Sequence, residues 1–104
     1  MTQPLHNPLL QYLARLAPSS QLTMKYVLQD AADRLGYDDT DIVEVPWHQL
    51  DPAHITALVA ALRSDGYAPN STSLYVNAIR GVMNEAWRLG LIDQERLLRI
   101  REVE

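Results

Sequence analysis

Apolar residues recur along this chain at the spacing of helices, and the breaks between the runs fall on proline and glycine. Leu9, Leu10, Leu13 and Leu16 make a first run, opened by the capping residue Asn7 with Pro8 at the first helical position and stopped by Pro18. A second helix is predicted from near Ser20, whose hydroxyl can cap it; Met24, Val27, Leu28, Ala31 and Leu35 share one face, Tyr26 lies opposite, and Gly36 closes it. Residues 37–50 read as an acidic loop leading into Val45-Pro46-Trp47-His48-Gln49-Leu50, where Val43 and Val45 are too short a run for an edge strand and Pro46 ends it. Asp51-Pro52 repeats the cap-plus-proline start, and Ile55, Leu58, Val59 and Leu62 predict a third helix that Gly66 ends. Tyr67-Ala68-Pro69 then reads as a linker to the longest helix, capped by Asn70 or Ser71 and running to Leu89, with Gly90 beyond. Asp93 caps a fifth helix through about Glu102, with Leu97, Leu98 and Ile100 as its apolar positions.

The expected architecture is therefore an all-α bundle of four to five helices, one domain over residues 1–104, with residues 1–6 a flexible N-terminus and 103–104 the start of a linker. On the longest helix, Tyr75, Ala78, Ile79, Val82, Ala86 and Leu89 form the core face. Opposite them, Ser73, Asn77, Arg80, Asn84 and Arg88 fall within about 80° of one another, a polar stripe about four turns long. Solvated helix faces are usually rich in Glu and Lys, whereas this one carries two Asn, two Arg and a Ser without an acid. Those side chains bond phosphate oxygens and base edges, and a helix can carry them into a major groove. The start of the second helix gathers Ser19, Ser20, Gln21, Thr23 and Lys25, where backbone N–H groups also favour phosphate.

Charge pulls against a polyanionic partner, since nine basic residues against thirteen acidic ones give a net of −4. Its distribution softens the objection. Asp38, Asp39, Asp41 and Glu44 put four acids into seven residues, and the remainder of the chain is balanced. The basic set is eight Arg and one Lys, and Arg80, Arg88, Arg96, Arg99 and Arg101 lie in the last quarter. Arginine suits planar, bidentate contacts to phosphate or carboxylate.

Other chemistry finds little support. Without cysteine there are no disulfides, thiolate metal sites or cysteine nucleophile, which fits a reducing compartment. His6, His48 and His54 lack the paired spacing of a helical metal site, and Asp39-Thr40-Asp41 lacks the glycine and terminal glutamate of a calcium loop, so no metal or cofactor is expected. Asn70-Ser71-Thr72 matches a glycosylation pattern, but no secretory signal precedes it. There is no glycine-rich phosphate loop and no strand-to-helix elbow for a serine nucleophile. No apolar run reaches the roughly 20 residues of a membrane span. Trp47 and Trp87 read as packing residues.

The stretch from Asn70 to Ile92 resembles the last long helix of the core-binding domain of tyrosine recombinases, the phage-integrase family. In that family a hydroxyl residue opens the helix, Ala-(Leu/Ile)-Arg recurs mid-helix, and an alanine followed by Gly-Leu-(Ile/Met) ends it. Ser71, Ala78-Ile79-Arg80, Ala86 and Gly90-Leu91-Ile92 occupy those places. Ser20-Gln21-Leu22-Thr23-Met24-Lys25 is similar to the family's earlier Ser-x-x-Thr helix start, and Pro46-Trp47-His48-Gln49-Leu50 to its Trp-x-x-Leu segment. The match runs from about residue 19 to 103, with Leu74 departing from it where relatives often place a basic residue.

The resemblance implies a SAM-like orthogonal bundle that packs on one side of a recombination site while a separate catalytic domain closes on the other. It places the cleaving tyrosine, arginines and histidine in that other domain, so Tyr12, Tyr26, Tyr37, Tyr67 and Tyr75 are not expected as nucleophiles and this chain is not expected to be an enzyme by itself. The implied partners are double-stranded DNA, the chain's own catalytic domain and neighbouring recombinase protomers, in the cytoplasm on the nucleoid. Carried over residue by residue, the DNA contacts fall to Thr23 and Lys25 on the second helix and to Ser73, Asn77 and Arg80 on the fourth; Ser20, Asn84 and Arg88 extend them from the polar pattern.

A rival expectation is a helical protein-interaction module docking through Tyr26 or through Leu97, Leu98 and Ile100. A stand-alone helix-turn-helix repressor is disfavoured by the long loop between the second and third helices.

Overall fold

A computed structural model of the chain describes residues 6–102. Among them are five α-helices and no strand: α1 (Pro8–Ala14), α2 (Pro18–Arg34), α3 (Pro52–Ser64), α4 (Pro69–Arg88) and α5 (Gln94–Glu102), with a 3-10 turn at Trp47–Gln49. The flexible stretch expected at 1–6 falls outside the described residues except for His6, and the linker start at 103–104 falls outside them altogether.

Three of the five helix starts follow the sequence rule. The Asn7 side chain accepts from the Leu10 amide at 3.1 Å, and the Asp93 carboxylate accepts from the Arg96 amide at 2.8 Å. Asp51 accepts from the His54 amide at 3.2 Å while its own amide donates to His54 Nδ1 at 3.1 Å, a closed capping box. The amide bond to the Asp51 carboxylate is also the main reason its pKa is held below the ordinary value.

The other two starts differ from expectation. α2 begins at Pro18 with Ala17 as its N-cap, and α4 at Pro69 with Ala68 as its N-cap, so Ser20, Asn70 and Ser71 do not cap. Proline fixes φ and lacks an N–H, which suits the first helical position, and here that local geometry sets the start without a capping side chain. The same residue that stops one run opens the next. α1 likewise ends at Ala14, short of Leu16.

α4 is the axis of the bundle, packing against α1, α2, α3, α5 and the 3-10 turn. Its Ala78, Ile79, Val82, Met83 and Ala86 are all but inaccessible, as are Leu9, Leu28, Leu50, Ile55, Leu58, Leu62 and Ile100 from the elements around it. Trp47 is 1% exposed and donates its indole N–H to the Ile42 carbonyl at 2.8 Å, so its ring fills the core without stranding a donor. The segment 37–50 is thereby pinned from within, and Asn7 Nδ2 donates to the Val43 carbonyl at 2.9 Å to pin it from α1.

α1 crosses α4 at Gly81, where an added Cβ would sit 2.2 Å from Tyr12 Cε1; no larger residue fits beneath the Tyr12 ring. Just beyond that crossing, Arg15 reaches the buried Glu85 carboxylate at 2.9 Å. Gly36, Gly66 and Gly90 take positive φ immediately past α2, α3 and α4, as their positions in the sequence predict.

Candidate nucleic-acid interface

Because α4 buries one side along its whole length, its opposite side is presented to solvent as a surface about 30 Å long. Ser73 and Asn77 are exposed on it, Arg80 and Asn84 are half-buried at its margin, and Arg88 is exposed at its far end. The stripe is thus a real surface, but its five residues are not equivalent. Arg88 lies 3.9 Å from Glu85, which tempers its charge, whereas Ser73, Asn77 and Arg80 line a cleft of about 230 Å³ together with Thr72, Val76, Pro69 and Arg63.

Arg63 comes from the last turn of α3 and was not among the residues the sequence pattern singled out. It lies beside the apolar face of its own helix, and only the packing of α3 on α4 brings it to the stripe. The cleft so formed holds two guanidinium groups, the Ser73 hydroxyl and the Asn77 carboxamide; the Thr72 hydroxyl in its wall donates to the Ala68 carbonyl at 3.3 Å, and no carboxylate lines the cleft among the described residues. These are the donors that hold an oxyanion.

Among the described residues, the acid nearest in sequence to Arg63 is engaged. Asp65, two residues from Arg63, is bound to Arg34 Nη1 at 2.5 Å. Arg34 also donates to Asp30 Oδ2 at 3.2 Å and to the Tyr67 hydroxyl at 3.3 Å, and its guanidinium lies 5.1 Å from the Tyr67 ring centre. The Tyr75 hydroxyl donates to the same Asp30 oxygen at 2.5 Å, and the Tyr67 and Tyr75 rings meet edge to face at 5.8 Å. This network ties the end of α2, the α3–α4 joint and the first turns of α4 into one unit. Hydrogen bonds from Arg34, chiefly to Asp65, raise its pKa further above neutrality, and burial followed by the bond to Asp30 pushes the Tyr75 phenol well above its usual value.

Glu44, the last acid of the acidic segment, lies toward the other end of α4. Val43, Glu44 and Val45 border a recess with Leu91, just past the C-terminus of the helix. From Ser73 to Arg88 the helix alone covers about 22 Å. At physiological salt the Debye length is about 8 Å, so the Glu44 carboxylate hardly reduces the field at the cleft. The net charge of −4 is therefore compatible with a locally cationic surface.

The second-helix residues do not join the cleft. Ser20 is half-buried in the first turn of α2. Thr23 spends its hydroxyl on the Ser19 carbonyl at 3.3 Å and lines a different, apolar groove between α2 and α4. Lys25 is exposed on α2. Two residues apart on a helix, Thr23 and Lys25 point about 160° away from each other and do not form one contact surface.

Two more expectations are corrected. Trp87 is 42% exposed, and at three residues from Asn84 and seven from Arg80 it emerges beside the stripe instead of packing in the core. In the C-terminal run Leu97 and Ile100 are buried, so they offer no docking face, and Leu98 alone is exposed. Arg96 turns inward, donating to the Leu50 carbonyl at 2.7 Å, and Arg99 pairs with Glu95.

Comparison with protein-family models, with curated proteins and with solved structures returns no match for this chain. Among the described residues no group of histidine and acidic side chains is placed to hold a metal ion, and no helix is long and apolar enough to cross a membrane.

Proposed function

We propose that this chain is a DNA-binding domain that grips the duplex backbone with α4, the role its sequence resemblance to tyrosine-recombinase core-binding domains implies. The observation that carries the reading is the cleft of Arg63, Thr72, Ser73, Asn77 and Arg80: paired guanidinium groups with hydroxyl and amide donors, on an exposed helix face, with no carboxylate among the described lining residues. Phosphate oxygens are the ligands that satisfy such a set, and the Asn77 and Asn84 amides farther along the helix are of the type that reaches base edges. On this reading, the domain supplies one half of a clamp on a recombination site, and cutting and rejoining belong to a separate catalytic domain. Neighbouring protomers and the nucleoid are its expected surroundings.

With two cleft arginines and one or two further cations engaged, log Kd should rise with log salt at a slope of about 2.7 to 3.6, and non-specific affinity should fall at about 10⁻⁴ to 10⁻⁶ M. The protein carries its own reporter, because Trp87 is exposed beside the stripe and Trp47 is buried. Adding a short duplex at low salt should quench the Trp87 emission, raising the salt should restore it, and Trp87→Phe should abolish the change. Emission indifferent to duplex at millimolar concentration, with the domain folded, would contradict the proposal.

A further inference from the structure

The Glu85 carboxylate of α4 is buried, its side chain only 6% exposed, yet the charges that answer it lie at the surface. Arg15, the C-cap of α1, places Nε 2.9 Å from Glu85 Oε2, and Arg88 places Nη1 3.9 Å from the same oxygen. The two guanidinium groups therefore stand side by side over one acid, on side chains that are 55% and 52% exposed. Neither arginine makes another hydrogen bond or ion pair among the described residues, so both Nη groups of Arg15 and most of the Arg88 fork are left without a partner. Two cations against one anion leave the cluster with a net positive charge.

Holding α1 on α4 does not require this arrangement. Tyr12 lies over Gly81, and Leu9 and Leu13 of α1 are buried in the core. Burying a charge costs desolvation, and an apolar side chain in its place commonly serves packing as well. What the carboxylate adds is a fixed seat for a long side chain with many rotamers, and a guanidinium held in place loses less freedom when it takes up a phosphate.

The place of the pair on the surface suits that ligand. Arg88 ends the polar stripe, about 12 Å along α4 from Arg80 in the cleft, with Asn84 between them. A major groove is about equally wide, so cations at the two ends can reach separate backbone phosphates of one duplex. Of the acidic segment, Glu44 lines a recess with Pro8 at the start of α1, and Arg15 stands about 10 Å of helix farther on. We propose, resting on the DNA-binding reading above, that Arg15 and Arg88, seated over Glu85, form a second phosphate site that engages the same duplex as the Arg63–Arg80 cleft.

Anisotropy of a labelled duplex over a range of salt tests it, with a thermal melt of each protein to check the fold. Arg15→Gln should weaken binding about tenfold at low salt and lower the salt slope by about 0.9, and combined with Arg63→Ala it should lower the slope by about 1.8. Arg15→Lys, which keeps the charge, should keep the slope. In the unaltered protein, the NMR signal of the Arg15 Nε–H should move as duplex is added and return as salt is raised. An unchanged slope in folded Arg15→Gln, while Arg63→Ala lowers it, overturns the second site and leaves the cleft standing. An Arg15 signal unmoved at saturating duplex overturns it too, whether or not the variant folds, as does an equal loss of slope in Arg15→Lys. A wild type that does not bind duplex at all overturns the DNA-binding reading and this site with it.

Discussion

Arg63→Ala is the substitution that separates the structural account from the sequence pattern, since Arg63 joins the α4 stripe only through packing. Its side chain is exposed in the last turn of α3, so its loss removes a favourable helix-end charge worth about 0.3–1 kcal/mol and leaves the core intact. Its contribution to DNA binding should be larger. Removing one phosphate contact lowers the salt slope by about 0.9, and losing one charge-assisted bond weakens binding by about 1.5–3 kcal/mol at low salt, roughly tenfold to a hundredfold. The assay is fluorescence anisotropy of a labelled duplex at several salt concentrations, for the wild type, Arg63→Ala and Arg80→Ala, with a thermal melt of each protein. Both variants should bind more weakly with a shallower slope, and the two curves should converge with that of the wild type at high salt. Unchanged affinity and slope in both folded variants would refute the phosphate-cleft reasoning.

The fold makes its own predictions. Gly81→Ala, ordinarily a helix-stabilising change, should destabilise by about 1–3 kcal/mol because its methyl group overlaps the Tyr12 ring, and combining it with Tyr12→Leu should recover much of the loss in thermal denaturation. Asp51→Ala should cost about 1 kcal/mol by opening the capping box of α3, while Asp51→Asn should cost less. Since the Asp51 pKa is lowered by folding, its ionic contribution is complete above about pH 4 and is lost as the pH falls through the depressed value; denaturant melts of wild type and Asp51→Ala should converge in acid. The Tyr75 pKa is raised by folding, so the opposite sign applies: its contribution is complete below about pH 10 and is lost as the pH climbs through the raised value. Absorbance titration in alkali should show two late-ionising phenols, Tyr12 raised by burial and Tyr75 later still, and the later one should disappear in Tyr75→Phe.

Where a helix start carries an acceptor side chain before a proline or an apolar run, as at Asn7, Asp51 and Asp93, it was legible in the chain. Pro18 and Pro69 read in the sequence only as a stop and a linker residue because alanine precedes each, and nothing but the ring geometry announces the helix that each opens. The core face of α4 and the stripe opposite it followed from angular spacing alone. What spacing leaves undetermined is the neighbour across the gap. Arg63 meets side chains 10 to 17 positions further on, across a helix break, and the Arg34 network joins residues 31 or more positions apart, such as Arg34 with Asp65 and Tyr75 with Asp30; no local pattern brings these together. In the same way, three apolar residues between 97 and 100 promised a single face, but the turn of the helix puts Leu98 on the side away from Leu97 and Ile100. The second-helix residues named from the resemblance do not meet the arginine cleft, since Thr23 lines an apolar groove and Lys25 points away from it on the exposed side of α2.

The most direct test of the account is to follow every backbone amide of the labelled domain by NMR while a short duplex is added at low salt, and then to raise the salt. The account predicts shifts concentrated at residue 63 and over 69–88, strongest around Ser73, Asn77 and Arg80 and fading as salt increases, with the acidic segment 38–44 undisturbed. Shifts confined to Leu22, Tyr26 and Leu74, or none at all at millimolar duplex, would contradict it.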